Sequence, residues 1–340
     1  MNLSKDSFDA ALFPGVRERL AEAYRSLRQS EHDMFQSVLD DNGEFREGVA
    51  YIRNCPLCAS PSHDASLVYF AHGMHIVQCP QCDLVYSQEV VNRDSDESRY
   101  RSSNFMGALM AMHRNAAYGE LESNKARYIV GRLAQVRGAL ETSLLDIGCS
   151  TGALLQAAVE VGWQAFGIDL NRDGVQIARN RGLDALEGCF PQDLPVEKRS
   201  FGAITMLDVL EHTEDPAGFL ASASENLLPG GVLGVQVPNF NSLLIRIEGV
   251  RNNNICHGHW SYFTPETLTK VAIKVGLEVL SVETIISEID RVRAYPARQV
   301  IEAARPLAGR DVEFAEIDHR WVHEHLLGYK VFGVFARPHF

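Results

Sequence analysis

From about residue 120 the chain alternates short apolar runs with longer segments whose apolar residues recur every three to four positions. The first kind of run is typical of buried strands and the second of amphipathic helices. Strands and helices that alternate predict a parallel sheet with helices on both faces. The predicted strands are 143–148, 164–169, a short one near 184–188, 202–207, 232–238, 276–284 and 328–336, and the predicted helices begin at Ala153, Asp173 and Pro216. The pattern therefore predicts a doubly wound α/β domain over residues 105–340, with a seven-stranded, mostly parallel sheet.

The first part of the chain follows a different pattern. Val16, Leu20, Tyr24 and Leu27 fall on one stripe of a predicted helix, so residues 1–48 are interpreted as a helical extension. Packing against the chain itself is the simpler role for this stripe, and a homodimer contact stays open. The polar, aperiodic residues 89–104 are interpreted as a linker.

Two pairs of cysteines predict a metal site. Cys55 and Cys58 form one CxxC motif and Cys79 and Cys82 a second, with residues 59–78 between them. Two such turns can supply four thiolates to a tetrahedral zinc ion and leave no open position, so the predicted zinc is structural. Residues 49–90 are accordingly interpreted as a small zinc-binding ribbon, with a redox pair or disulfides as the alternatives.

Charge and hydropathy narrow the function classes. The chain has 32 basic and 44 acidic residues and a net charge of -12, which disfavours binding to a nucleic-acid backbone. The N-terminus lacks the apolar core of a signal peptide, and no run of 18 apolar residues occurs. We therefore expect a cytoplasmic protein that does not enter a membrane.

The turn after the first strand of the domain indicates a ligand. The segment LLDIGCSTG (144–152) ends a strand in a glycine turn, which lets a ligand approach the backbone at the carboxyl edge of the sheet. Asp169 ends the second strand, where an acidic residue accepts hydrogen bonds from ribose hydroxyls. Ser150 stands where a dinucleotide-binding turn needs its second glycine, so the turn favours S-adenosylmethionine over a dinucleotide.

Four collinear segments carry a family resemblance. LLDIGCSTG, FGIDLN, FGAITMLDVLEHTEDP and LLPGGVLGVQVPN resemble successive motifs of class I S-adenosylmethionine-dependent methyltransferases. The cysteine ribbon ahead of them and HWSYFTPETL after them resemble a bacterial subset associated with polysaccharide or natural-product pathways. Residues 1–50 and about 287–325 have no counterpart in that family, so the second range is interpreted as an insertion.

The resemblance implies cofactor contacts at the matching positions. Asp169 would hold the ribose, and the segment around Cys189 lacks the acidic residue that many relatives place near the adenine. The other implied contacts are Asp146, Gly148, Cys149 and Gly152 at the methionine part, Leu170, Asn171, Cys189 and Phe190 at the adenosine, and Leu207 and Asp208 at the floor.

Methyl transfer needs a base where the acceptor carries a proton of high pKa. His259 is the favoured candidate, because in relatives its segment borders the acceptor pocket, and Tyr262 follows one helical turn later. His212 is a second candidate and His257 a weaker one, although each can equally be a packed or capping histidine.

The insertion supplies a clue to the acceptor. The arginines of the insertion could bind an anionic acceptor, or they could form an ordinary solvated helix face. They are Arg291, Arg293, Arg298, Arg305 and Arg310, with Arg246 and Arg251 nearby.

Three functions follow from the sequence. The leading hypothesis is a methyltransferase for oxygen or carbon of a small molecule, such as a sugar or a pathway intermediate. The second is an RNA methyltransferase that uses the zinc ribbon for recognition. The third is a cofactor-binding scaffold without catalysis.

Overall fold

The computed structural model describes residues 4–92, 104–137, 142–195 and 201–339. The strands are β1 (Ala50–Ile52), β2 (Ser66–Ala71), β3 (Met74–Gln78), β4 (Val85–Ser87), β5 (Glu89–Val91), β6 (Ser143–Ile147), β7 (Gln164–Asp169), β8 (Asp184–Glu187), β9 (Phe201–Leu207), β10 (Leu227–Pro238), β11 (Ser261–Tyr262), β12 (Glu278–Ile285) and β13 (Lys330–Ala336). The α-helices are α1 (Val16–Val38), α2 (Asn104–His113), α3 (Ala116–Arg137), α4 (Ala153–Glu160), α5 (Arg172–Asn180), α6 (Pro216–Glu225), α7 (Leu243–Glu248), α8 (Pro265–Lys274), α9 (Ile289–Arg293), α10 (Ala297–Ala308) and α11 (His319–Glu324).

Seven strands form the main sheet in the order β12-β13-β10-β9-β6-β7-β8. The strands from β10 to β8 pair in parallel, whereas β13 is antiparallel to both β10 and β12. The predicted doubly wound, mostly parallel sheet is therefore confirmed. Strand β10 begins five residues earlier than predicted, because its pairing with β9 continues past an irregularity between Leu227 and Val232.

The central strands are buried on both faces, and for this reason they occur in the sequence as continuous apolar runs. Every residue of β9 except the last is buried, as expected for a parallel strand covered on both faces. Helix starts are fixed by side-chain caps: the Asp215 carboxylate accepts from the Gly218 amide at 2.9 Å, and Pro216 occupies the first turn of α6.

The cysteine segment joins the main domain through a shared sheet. Strands β2, β3 and β4 form a sheet that is extended by β11, which comes from the chain after β10 and pairs with β4. Strand β5 pairs instead with β1, so residues 89–91 of the predicted linker are a strand, and residues 93–103 of that linker lie outside the described residues. The ribbon is thus held against the domain that follows it.

The N-terminal extension is only partly helical. Helix α1 ends at Val38, and residues 39–45 form a turn closed by a bridge between Leu39 and Phe45. Val16 and Leu20 of the predicted stripe are buried. The Arg17 guanidinium donates to the carboxylate of Glu288 at 2.7 Å, which fastens this helix to the predicted insertion.

Among the helices of the described ranges, none combines the length and the apolar character that crossing a membrane requires.

Candidate cofactor and acceptor site

A cavity of about 800 Å³ opens at the carboxyl edge of β6, β7 and β9. Its volume lies in the range of small-molecule sites. The structure brings most of the predicted site residues to its wall: Asp146, Gly148, Cys149, Asp169, Leu170, Asn171, Cys189, Phe190, Leu207, Asp208, His212 and His259.

The turn after β6 brings the backbone close to its neighbours. Gly148 has φ +79°, and a Cβ built there would lie 2.4 Å from Cγ2 of Val209. Only glycine fits both the left-handed conformation and this space. Just before the turn, the Thr205 hydroxyl donates to Oδ1 of Asp146 at 2.7 Å. Burial raises the pKa of Asp146 to about 7, despite that hydrogen bond.

Asp169 organises the end of β7. Its carboxylate accepts from the backbone amides of Ser150 at 2.8 Å and Asn171 at 2.7 Å. Burial raises the pKa of Asp169, and these two hydrogen bonds oppose the rise. The Asn171 side-chain oxygen caps α5, whereas its buried Nδ2 has no partner among the described residues. A carboxylate and an orphaned amide donor on one wall fit the hydroxyls and acceptors of an adenosine moiety.

The floor contains a charge that the sequence pattern did not reveal. Lys330 Nζ lies 2.8 Å from Oδ1 of Asp208, and Gln236 Nε2 donates to Oδ2 at 2.8 Å. Burial raises the pKa of Asp208, but the positive charges of Lys330 and Lys125 outweigh it, so the pKa lies below its usual value. Asp208 is therefore ionised, and the positive charge of Lys330 balances its negative charge.

Helix α3 contributes three wall residues that sequence reasoning missed. Tyr118, Glu122 and Lys125 all line the cavity, and Lys125 pairs with Glu122 at 2.8 Å. Their spacing of four and then three residues puts them on one helix face. This polar stripe could have indicated a functional helix face in the sequence. It was missed because it precedes the first family motif. Strand β5 adds Val90 and Val91, so the ribbon also reaches the cavity.

Two histidines meet at the wall of the cavity. Their ring centroids are 4.8 Å apart. His212 Nδ1 lies 2.6 Å from the Gly258 carbonyl oxygen, and His259 Nδ1 lies 2.9 Å from the Asn254 carbonyl oxygen. A carbonyl only accepts, so both Nδ1 atoms carry the proton and both Nε2 atoms carry the lone pair. His257 also lines this wall.

Two predicted site residues lie elsewhere. Gly152 caps α4 with φ +81°, and a Cβ there would lie 2.6 Å from Leu183, so this glycine serves helix packing, and its contact with the cofactor stays a prediction. Tyr262 lies in β11; the residue is 4% exposed and packs in an apolar cluster with Val90 and Val91, which line the cavity. Tyr262 itself is not among the lining residues, and its role at the acceptor stays a prediction.

The four predicted zinc ligands come together. The Sγ atoms of Cys55 and Cys82 are 3.5 Å apart, those of Cys58 and Cys79 are 3.4 Å apart, and all four lie within 4.8 Å of one another. These separations exceed a disulfide bond of about 2.05 Å. They suit thiolates at about 2.3 Å from one tetrahedral ion. The hydrogen bond between Cys55 and Cys82 lowers the pKa of Cys55 and raises that of Cys82, so the two thiols share one proton.

The arginines of the insertion do not reach the cavity wall. Arg291 pairs with Glu248, Arg298 with Glu302, and Arg310 with Glu316. Arg293 donates to two backbone carbonyls, and Arg305 pairs with Asp311. Arg298, Arg305 and Arg310 are exposed, as the alternative of a solvated helix face predicts, whereas Arg291 pairs with a largely buried carboxylate. A grip of these arginines on an anionic acceptor has no support from the residues that line the cavity.

Comparison with known proteins places this site in context. A family model described as a methyltransferase domain matches residues 111–282. The ubiquinone biosynthesis O-methyltransferase of Idiomarina loihiensis is 27% identical over 162 residues, which cover 44% of this chain and 67% of that protein. The protein of the same name from Bordetella bronchiseptica is 29% identical over 163 residues, covering 44% and 68%. A SAM-dependent methyltransferase structure from Archaeoglobus fulgidus has a TM-score of 0.44 and 16% identity, covering 64% of this chain and 94% of that one.

Proposed function

The chain belongs to the methyltransferase-domain family, and from that premise we propose that it methylates an oxygen or carbon atom of a small molecule, such as a sugar or an intermediate of a natural-product or polysaccharide pathway. The cavity supports this proposal most directly. Asp169, which stands where an acidic residue would hold a ribose, and the two histidines line the same cavity. Curated relatives named as O-methyltransferases support oxygen as the acceptor atom.

The cofactor is S-adenosylmethionine, and the wall residues suit its parts. Asp169 and Asn171 would hold the adenosine, and Gly148 would let the sulfonium end approach the backbone. When bound, the cofactor supplies an activated methyl group. The protein contributes alignment of the acceptor in a dry cavity, since an in-line displacement depends mainly on positioning.

Acceptor deprotonation would take place at the histidine wall. We expect the Nε2 lone pair of His259 to accept a proton from an acceptor hydroxyl. His212 shares this capacity, because its Nδ1 proton is directed at a backbone carbonyl in the same way. We predict that one of the two rings is the base, and substitution of each histidine with glutamine tests which one it is. The variant of the acting histidine should lose turnover while its affinity for the cofactor stays unchanged.

We also propose a structural zinc ion, on the basis of the four clustered cysteines. Cys55, Cys58, Cys79 and Cys82 would hold it and leave no open position. Its effect on activity would be indirect, since the ribbon it stabilises delivers β5 to the cavity wall.

The first experiment is calorimetric titration of the full chain with S-adenosylmethionine, S-adenosylhomocysteine and NAD. We expect micromolar binding of the two adenosyl ligands and no binding of NAD. Transfer of a labelled methyl group to a panel of sugars, sugar nucleotides, phenols and RNA then identifies the acceptor class. Folded protein that binds no adenosyl ligand would overturn the proposal in favour of a scaffold, and labelling of RNA alone would favour the RNA alternative.

A further inference from the structure

Glu211 is a buried acidic residue that has no role in the proposed methyl transfer. The residue is 1% exposed, and neither carboxylate oxygen has a hydrogen-bond partner among the residues that the structure describes. A buried carboxylate is costly unless it is paired, hydrogen-bonded or bound to a metal. Either a proton or a bound cation can compensate this charge, and the groups beside the side chain favour a cation.

Two imidazoles lie beside this carboxylate. One ligand atom from each of Glu211, His212 and His259 falls within 4.8 Å of the other two. Both rings direct their Nδ1 protons at backbone carbonyls, so coordination by these rings would use Nε2. Metal-binding histidines are oriented by the same second interaction, in which the other ring nitrogen donates to a carbonyl or carboxylate.

The backbone holds the three residues in place. His212 follows Glu211 directly in a 3-10 turn after β9, whereas His259 comes from the chain after β10. The two segments are joined by a hydrogen bond from the Trp260 amide to the Glu211 carbonyl at 2.8 Å. The cluster is thus built by the fold rather than by flexible surface side chains.

We propose that Glu211, His212 and His259 bind a divalent transition-metal ion, with zinc or manganese as the candidates. Two imidazoles and one carboxylate form a three-ligand set that leaves at least one coordination position open. His212 and His259 line the cavity, so this position borders the space of the acceptor. The site is separate from the cysteine cluster and differs from it in donor chemistry.

The proposed role of the ion rests on the proposed function. The open position would bind an oxygen of the acceptor, and the substrate class is therefore one that presents a hydroxyl or carboxylate oxygen to a cation. A metal-bound hydroxyl loses its proton to water at lower pH than a free one. Its oxygen then forms a bond with the methyl carbon while the carbon–sulfur bond breaks and leaves its electrons on sulfur. In this arrangement His259 is a ligand rather than the base.

Metal analysis and manganese titration test the site on the full chain. Zinc-saturated wild-type protein is expected to retain one zinc ion more than the Glu211→Gln and His259→Gln variants. Manganese is the second probe, because thiolate clusters disfavour it. We expect its affinity, measured by calorimetry and electron paramagnetic resonance, to fall at least about 10-fold in both variants. His257→Gln is the matched control: it changes a neighbouring cavity histidine outside the cluster and should keep wild-type metal binding.

Cofactor affinity, measured on the same samples, separates this inference from the proposed function. Wild-type protein that binds S-adenosylmethionine but holds zinc only at the cysteines and takes up no manganese would overturn the metal site alone. Variants that bind metal as the wild type does would also overturn it. Metal binding that is lost in the variants, without any methyl transfer by the wild type, would leave the metal site standing and overturn the proposed function. Glu211→Gln removes a buried charge and keeps the side-chain shape, so folded protein is expected for this comparison.

Discussion

Nη2 of Arg291 lies 3.0 and 3.1 Å from the two carboxylate oxygens of Glu248, a side chain that is largely buried. The contact ties α9 to α7, and Glu288 adds a second carboxylate at 3.3 Å. Burial lowers the pKa of Arg291, but the charges of Glu288 and Glu248 outweigh this effect and raise it. The most buried ion pairs of the insertion are therefore part of its attachment to the domain.

Arg291→Ala should destabilise the protein strongly. Removing the guanidinium leaves the Glu248 carboxylate buried without its cation, whereas Glu288 keeps Arg17, and breaking such a buried pair costs about 3–5 kcal/mol. Arg298→Ala is the matched control, because Arg298 pairs with Glu302 at an exposed surface, and its free energy of unfolding should stay close to that of the wild type. Urea denaturation measures both variants. If the two variants have the same free energy of unfolding, the buried ion pair contributes no more to stability than the exposed one.

Asp169→Asn should weaken cofactor binding by about 10- to 100-fold, since hydrogen bonds to a charged acceptor contribute about 1.5–3 kcal/mol. Calorimetry with S-adenosylhomocysteine measures the effect. Asp173→Asn changes an exposed acid in the first turn of α5 and should leave the affinity unchanged. A variant that is folded and binds as tightly as the wild type would remove Asp169 from the cofactor site.

Gly148→Ala should cost about 1–3 kcal/mol of stability and weaken the cofactor site, because the added Cβ meets Val209 as well as an unfavourable φ. Gly162→Ala isolates the backbone effect: Gly162 has φ +85° and no atom within 4 Å of the added Cβ. Thermal denaturation compares the two variants. If both lose the same stability, the close approach to Val209 does not matter.

The sequence predicted those site residues that stand at strand ends. Asp146 and Asp169 end apolar runs, and their strands are neighbours in a parallel sheet, so their proximity follows from the pattern alone. Glu211 was missed because nothing in the pattern shows that it is buried. Its closeness to His259 depends on the path of the chain across β10, and that path is a tertiary property.

The same limit applies to the ribbon. The CxxC spacing predicted the cluster of Cys55, Cys58, Cys79 and Cys82 because each pair is local. The pairing of β4 with the two-residue strand β11 could not be predicted, since a strand so short has no periodicity. That pairing holds the ribbon beside the cavity, which Trp260, next to β11, also lines.

Removal of one predicted zinc ligand should unfold the ribbon. Cys58→Ser is expected to lose the cysteine-bound zinc and to lower the melting temperature, because the apolar side of this segment packs against α8. Cys189→Ser, outside the cluster, is the control for the loss of a thiol. Metal analysis and thermal denaturation check both variants. Full zinc content at the cysteines in Cys58→Ser would refute the four-thiolate site.

Asp146 should make the stability of the ligand-free protein depend on pH. Its pKa is about 7 in the folded protein and about 3.9 in an unfolded chain. Between these values the folded state binds the extra proton, so the free energy of unfolding falls as pH rises from about 4 to about 7. The difference amounts to a few kcal/mol at most, since one pKa unit corresponds to about 1.4 kcal/mol.

The isosteric variant Asp146→Asn keeps an acceptor for the Thr205 hydroxyl and lacks the titrating group. Urea denaturation at pH 5 and pH 8 should therefore show a larger decline for the wild type than for the variant. S-adenosylmethionine, whose sulfonium is positive, should reduce the decline of the wild type by favouring the ionised carboxylate. Parallel pH profiles of the two proteins would mean that Asp146 is already ionised at pH 5, and that the charge of the cofactor is met by a preformed anion.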